Sequence, residues 1–116
     1  MAIQYLDKST DTLNVAQALR RDGAVVVKDV ADHDVVDRIV AELRPRLDMQ
    51  RPEEATVFDG VKTLRTSYGL LKHAPSAAAL VDHDLVIDVA NDILLPHCAS
   101  YMIGSLTAIE IHPGES

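Results

Sequence analysis

Cysteine is almost absent: Cys98 stands alone among 116 residues. A lone cysteine excludes an intrachain disulfide and a Cys-based zinc site, and nothing points to an oxidising compartment. Aromatics amount to 3%, as Tyr5, Phe58, Tyr68 and Tyr101 with no Trp. Few platforms exist for stacking single-stranded bases. Positive charge is in deficit, with 11 Lys and Arg against 18 Asp and Glu and a net charge of -7. A basic footprint for nucleic acid is therefore missing, although a local Arg or Lys still suffices for a small anion. No apolar run approaches the ~20 residues of a membrane span. Met1 to Asp7 lacks the basic and apolar regions of a signal peptide. The expected location is cytoplasmic.

Glycine is sparse and scattered, at Gly23, Gly60, Gly69, Gly104 and Gly114. No phosphate-binding GxGxxG or P-loop is formed, and no Gly-x-Ser-x-Gly nucleophile turn occurs. What remains is ordinary globular material, 47% apolar and 25% charged. It is enough for one small domain or part of a larger one.

Hydrophobic patterning predicts alternating helices and extended segments. Leu13 to Arg21 reads as a helix capped by Thr12 and closed by Gly23. Ala24 to Lys28 is β-branched and apolar and reads as a buried strand. Asp32 caps a longer helix whose stripe is Val35, Val36, Ile39, Val40, Leu43 and Leu47. Pro45 is expected to kink or end it near Arg44. Residues 50–62 read as a loop and Thr63 to Tyr68 as a short extended piece. Pro75 opens a short helix to about Val81. Another runs from Asp82 or His83 to Leu95, stopped by Pro96, with Leu85, Val86, Val89, Ala90, Ile93 and Leu94 as its buried face. The repeated Asp-His-Asp at 32–34 and 82–84 reflects shared helix-start chemistry rather than duplication.

The last segment, from about Tyr101 to His112, alternates like a long strand. It places Tyr101 and Thr107 on one face, before the Pro113-Gly114 turn. A strand of this length needs more partners than the chain supplies, so the sheet is expected to be incomplete.

The histidines, His33, His73, His83, His97 and His112, show no His-x-Asp or His-x-Glu spacing. His33 and His83 read as solvated helix starts, His112-Pro-Gly-Glu115 as a turn, and Cys98 as a small buried residue beginning a strand. Lys62 to Tyr68 is the stretch richest in functional groups. Arg65 within it suits bidentate capture of a carboxylate, with a solvated loop cation as the plainer reading.

Taken in order, several segments resemble the phytanoyl-CoA dioxygenase family. These are Asp22-Gly23-Ala24-Val25-Val26-Val27-Lys28-Asp29-Val30, the long helix, Thr63-Leu64-Arg65-Thr66-Ser67-Tyr68-Gly69-Leu70-Leu71, the helix before Ile93-Leu94-Leu95-Pro96, and Ala108-Ile109-Glu110-Ile111-His112-Pro113-Gly114. The resemblance covers nearly the whole chain and is carried by order and spacing. It implies an α+β fold: N-terminal helices plus the first strands of a double-stranded β-helix, or jelly-roll, core, incomplete in this chain. It further implies an oxygenase that hydroxylates a small organic substrate with Fe(II), 2-oxoglutarate and O2. The iron ligands of the family, a His-x-Asp and a distal His, are expected beyond Ser116, so none of the present histidines is assigned to metal. By the same resemblance, Arg65 and Thr107 are candidates for contacting 2-oxoglutarate, and Tyr101 for contacting substrate. Thr107 stands where many members place a Gln, so its hydroxyl reaches less far. The alternatives are a non-catalytic α+β module that homodimerises through the open edge of the 101–112 strand, and a small acidic-ligand domain using Arg65 alone.

Overall fold

The computed structural model describes residues 2–49, 64–66 and 69–114. The expected loop at 50–62, together with Lys62, Thr63, Ser67, Tyr68 and Glu115, lies outside the described residues. The chain divides into two compact units, residues 1–33 with 79–102 and residues 34–78 with 103–116.

In the first unit, β1 (Gln4–Asp7) pairs in parallel with β2 (Val25–Lys28), with Gln4 opposite Val25 and Asp7 opposite Lys28. The connection between them is α1 (Thr12–Asp22), as parallel pairing requires a crossover. Asp11, not Thr12, caps α1: its carboxylate accepts the Asn14 amide at 2.9 Å. The shorter Thr12 is already the first helical residue. Gly23 ends the helix at φ 77°, its N–H bonded to the Leu19 carbonyl at 2.9 Å, the left-handed closure that glycine adopts without strain. Val15, Ala16 and Ala18 are the buried residues of α1. The helix α5, Asp84–Leu94, packs on α1. His83 caps it, its Nδ1 accepting the Leu85 amide at 3.2 Å. Arg20 joins the two helices through the Asp92 carboxylate and the Asp92 carbonyl, both at 2.7 Å.

The second unit holds α2 (His33–Asp48, of which His33 belongs to the first unit), β3 (Leu64–Arg65), α3 (Leu70–His73), a 3-10 turn at Pro75–Ala77 and β4 (Ile109–Glu110). The chain passes between the units through α4 (Ala78–Val81). β3 and β4 pair antiparallel, Leu64 opposite Glu110 and Arg65 opposite Ile109. The core is Leu70, Ala74 and Ala77, packed by Ile39, Leu43, Leu106 and Ala108. Glu42 of α2 accepts both the amide (3.0 Å) and the hydroxyl (2.7 Å) of Ser76, which fixes the start of the 3-10 turn.

Several sequence expectations are corrected. Helix α2 runs through Pro45 to Asp48. Buried Leu47 anchors its last turn, and that burial offsets the hydrogen bond proline removes. The stripe of α5 is not buried. It lines an open apolar groove of about 520 Å³ with Val15, Leu19, Val27 and Val30. Among the described residues the long strand is reduced to Ile109–Glu110, because pairing needs a ladder partner and the described part of β3 offers two residues. Cys98 is exposed, its thiol donating to the Leu94 carbonyl at 3.2 Å in the turn after α5. The N-terminal strand β1 and the short helix α3 carry too little periodicity to be legible in advance. No helix among the described residues is long and apolar enough to cross a membrane.

Candidate functional site

The candidate site in the second unit is a partly open cavity of about 420 Å³ between Gly69–Lys72 and Ile103–Thr107. Its volume falls in the range of small-molecule sites. Two local features build it. Gly69 takes φ 69°, ψ 39° and turns the chain into α3, which sets Leu70 into the core and leaves Leu71 and Lys72 outside it. Among the described residues a side chain at 69 would meet only the Lys72 Cβ, at 3.7 Å, so the backbone angle is what requires glycine there.

The opposite wall is held by Thr66, which is 1% exposed. Its amide donates to the Ala108 carbonyl and its hydroxyl accepts the Ala108 amide, both at 3.0 Å. The side chain thus extends the β3–β4 ladder by one residue and fixes the backbone beside Thr107. Within the functional-group-rich stretch from Lys62 to Tyr68, nothing in the sequence distinguishes Thr66. Its burial opposite Ala108 follows from the strand register, which sequence did not supply.

Beyond the wall, the Glu110 carboxylate receives Arg44 of α2 at 2.7 and 3.1 Å, a two-pronged bridge, and meets His112 Nε2 at 2.9 Å. Hydrogen bonding from Arg44 holds the Glu110 carboxyl below its ordinary range and raises the guanidinium. Arg44 Nε also lies 2.9 Å from Asp48, a charge contact rather than an aligned hydrogen bond. His112 therefore turns back to Glu110; Glu115, at the end of the expected turn, lies outside the described residues.

Thr107 is half-buried and lines the cavity. Arg65 is placed by its backbone opposite Ile109, one residue before Thr66, and its side chain lies outside the described part. Tyr101 belongs to the first unit, its hydroxyl donating to Asn91 at 2.6 Å. The strand alternation that would put Tyr101 and Thr107 on one face is not formed over 101–107. Lys72 and Ser105, which also line the cavity, were not singled out as candidates, because no residue pattern distinguishes them from surface positions.

The model of the family "Phytanoyl-CoA dioxygenase (PhyH)" matches residues 19–114. This chain belongs to the phytanoyl-CoA dioxygenase family. Among curated proteins it is similar to "Dioxygenase cdmA" of Talaromyces verruculosus, at 27% identity over 122 aligned residues. The alignment takes in 98% of this chain and 41% of that relative, so the chain spans well under half the relative's length.

An iron centre is the feature this family leads one to look for. Among the described residues, no three His, Cys, Asp or Glu side chains converge on one point. Glu110 and His112 come together, but Glu110 is already committed to Arg44. The described residues alone do not fit an iron-binding triad, which needs three ligands on one face.

Proposed function

We propose that this chain forms part of an oxygenase that hydroxylates a small organic substrate using Fe(II), 2-oxoglutarate and O2, with the iron ligands supplied from outside the described residues. The family match over residues 19–114 carries this reading. The cavity beside Thr107 supports it, since Thr107 is the position family resemblance relates to 2-oxoglutarate. In this reading Thr107 contributes one hydroxyl hydrogen bond to the co-substrate. Arg65, one residue from the Thr66 clamp, contributes charge toward a carboxylate. Tyr101 contacts substrate with its ring, its hydroxyl being held by Asn91. Thr66 contributes rigidity rather than contact. We place the activity in the cytoplasm, which suits an exposed, unpaired Cys98 thiol.

The test is succinate release from 2-oxoglutarate by the protein isolated from its native source, with added Fe(II). Turnover that falls at least tenfold in Arg65→Met and less in Thr107→Ala supports the assignment. A protein that binds neither iron nor 2-oxoglutarate sinks it. Association of two copies is a second reading, favoured by the two-stranded β1–β2 sheet, whose outer edges carry no partner strand among the described residues. A sedimentation mass of one chain at all concentrations removes it.

A further inference from the structure

We infer that Arg44 and Glu42 of α2 are positioning residues: together they hold the two walls of the cavity at the spacing that presents Thr107 to a bound co-substrate. This rests on the oxygenase reading above and adds to it two residues set behind the cavity lining. Successive residues on an α-helix project about 100° apart, so Glu42 and Arg44 stand on opposite flanks of one turn. Leu43, between them, packs on the core with Ile39. Glu42 reaches the first wall. Its carboxylate accepts the Ser76 amide at 3.0 Å and the Ser76 hydroxyl at 2.7 Å, in the 3-10 turn that follows α3. Arg44 reaches the second wall. Its guanidinium donates to both oxygens of Glu110, at 2.7 and 3.1 Å, a short way along the chain from Thr107.

Apolar contact by itself does not fix that spacing. Burial is non-directional: it draws Leu70, Leu106 and Ala108 together but leaves the walls free to slide. The described ladder between β3 and β4 pairs Leu64 with Glu110 and Arg65 with Ile109, and Thr66 extends it, which is short for a strand pair. Hydrogen bonds to ionised groups are short and geometrically specific, so they set distance and angle where the core does not. Each anchor makes two such bonds to one carboxylate, and a pair of bonds also resists rotation. The Arg44–Glu110 bridge is partly buried, so salt screens it less than an open surface pair. Asp48, 2.9 Å from Arg44 Nε and one turn along α2, steadies the guanidinium from its own helix. Arginine suits the place better than lysine, because its planar fork meets both carboxylate oxygens at once.

The test pairs a kinetic readout with a structural one. In the succinate-release assay, Arg44→Met should raise the KM for 2-oxoglutarate about tenfold, the scale of a lost charge-assisted hydrogen bond, and leave kcat within about twofold. Arg44→Lys keeps the charge without the fork and should fall between. Glu110→Gln should raise KM as well, and combining it with Arg44→Met should add little, since both remove one bridge. A bridge that merely stabilised the fold would lower the melting temperature and the active fraction without moving KM, and that result overturns the proposal. Amide exchange in the full 116-residue chain is the second readout. Arg44→Met should quicken exchange at Ala108, and Ser76→Ala at Ala74, while α5 stays unchanged in both and so verifies the fold. Unaltered exchange at Ala108 in Arg44→Met also overturns the proposal. If the wild-type protein releases no succinate, the oxygenase reading falls. Quickened exchange at Ala108 then upholds the brace, and unaltered exchange removes both.

Discussion

Replacing Thr66 with Val removes one oxygen and keeps the shape. Thr66 is 1% exposed and its hydroxyl accepts the Ala108 amide at 3.0 Å. In the variant that N–H is stranded in a buried place, at about 1–3 kcal/mol. The added methyl returns about 0.8 kcal/mol through burial. The net loss is about 0.2–2 kcal/mol, or up to about 1 M in urea midpoint at the slope usual for small proteins. Thr66→Ser keeps the acceptor and loses the methyl, so it separates the two effects. Amide exchange at Ala108 is the sharper assay: it should quicken about tenfold in the Val variant and change little in the Ser variant. Unaltered exchange at Ala108 in Thr66→Val would refute the claim that this hydroxyl holds the wall beside Thr107. A second consequence is functional, since a loosened 107–108 backbone should weaken ligand binding in the cavity without any lining residue being changed.

Other outcomes follow from single features. Glu110 has a folded-state pKa below its unfolded value because Arg44 donates to it. Acid therefore protonates the unfolded chain first: the contribution is present above the ordinary glutamate value of about 4.3 and is lost as pH falls through the depressed folded value. Urea midpoints measured from pH 7 down to pH 3 should show this decline, and Glu110→Gln should flatten it. Gly69→Ala should cost about 1–2 kcal/mol by thermal melting from φ 69°, because among the described residues its Cβ meets nothing closer than 3.7 Å. Pro45→Ala should raise the melting temperature, since it restores an amide inside α2 without disturbing buried Leu47. Arg20→Ala should cost no more than about 1 kcal/mol, because its bridge to Asp92 is partly exposed.

Local chemistry wrote the helices plainly enough to read. A glycine after Arg20-Arg21-Asp22, an acidic cap and a 3.6-residue stripe are short-range signals; α1 and α5 fall within two residues of where they place them, and α2 starts where they place it but runs on past Pro45 to Asp48. The order of segments likewise carried the family. Pairing was less legible. Tyr101 to His112 alternates as a strand should, yet a strand exists only where another backbone meets it, and that is Ile109–Glu110. Burial was misjudged for the same reason: a stripe such as Leu85 to Leu94 states which face is apolar, not what covers it. The candidate site shows the division most clearly. Sequence singled out Thr107 through resemblance alone. Tertiary structure set it beside Lys72, put Thr66 opposite Ala108, and brought Arg44 onto Glu110 across 66 positions of chain. Helix signals lie within a few neighbouring residues, and so the sequence determined them by itself. A cavity wall and a long-range ion pair depend on which distant backbones meet, and only the folded chain decides that.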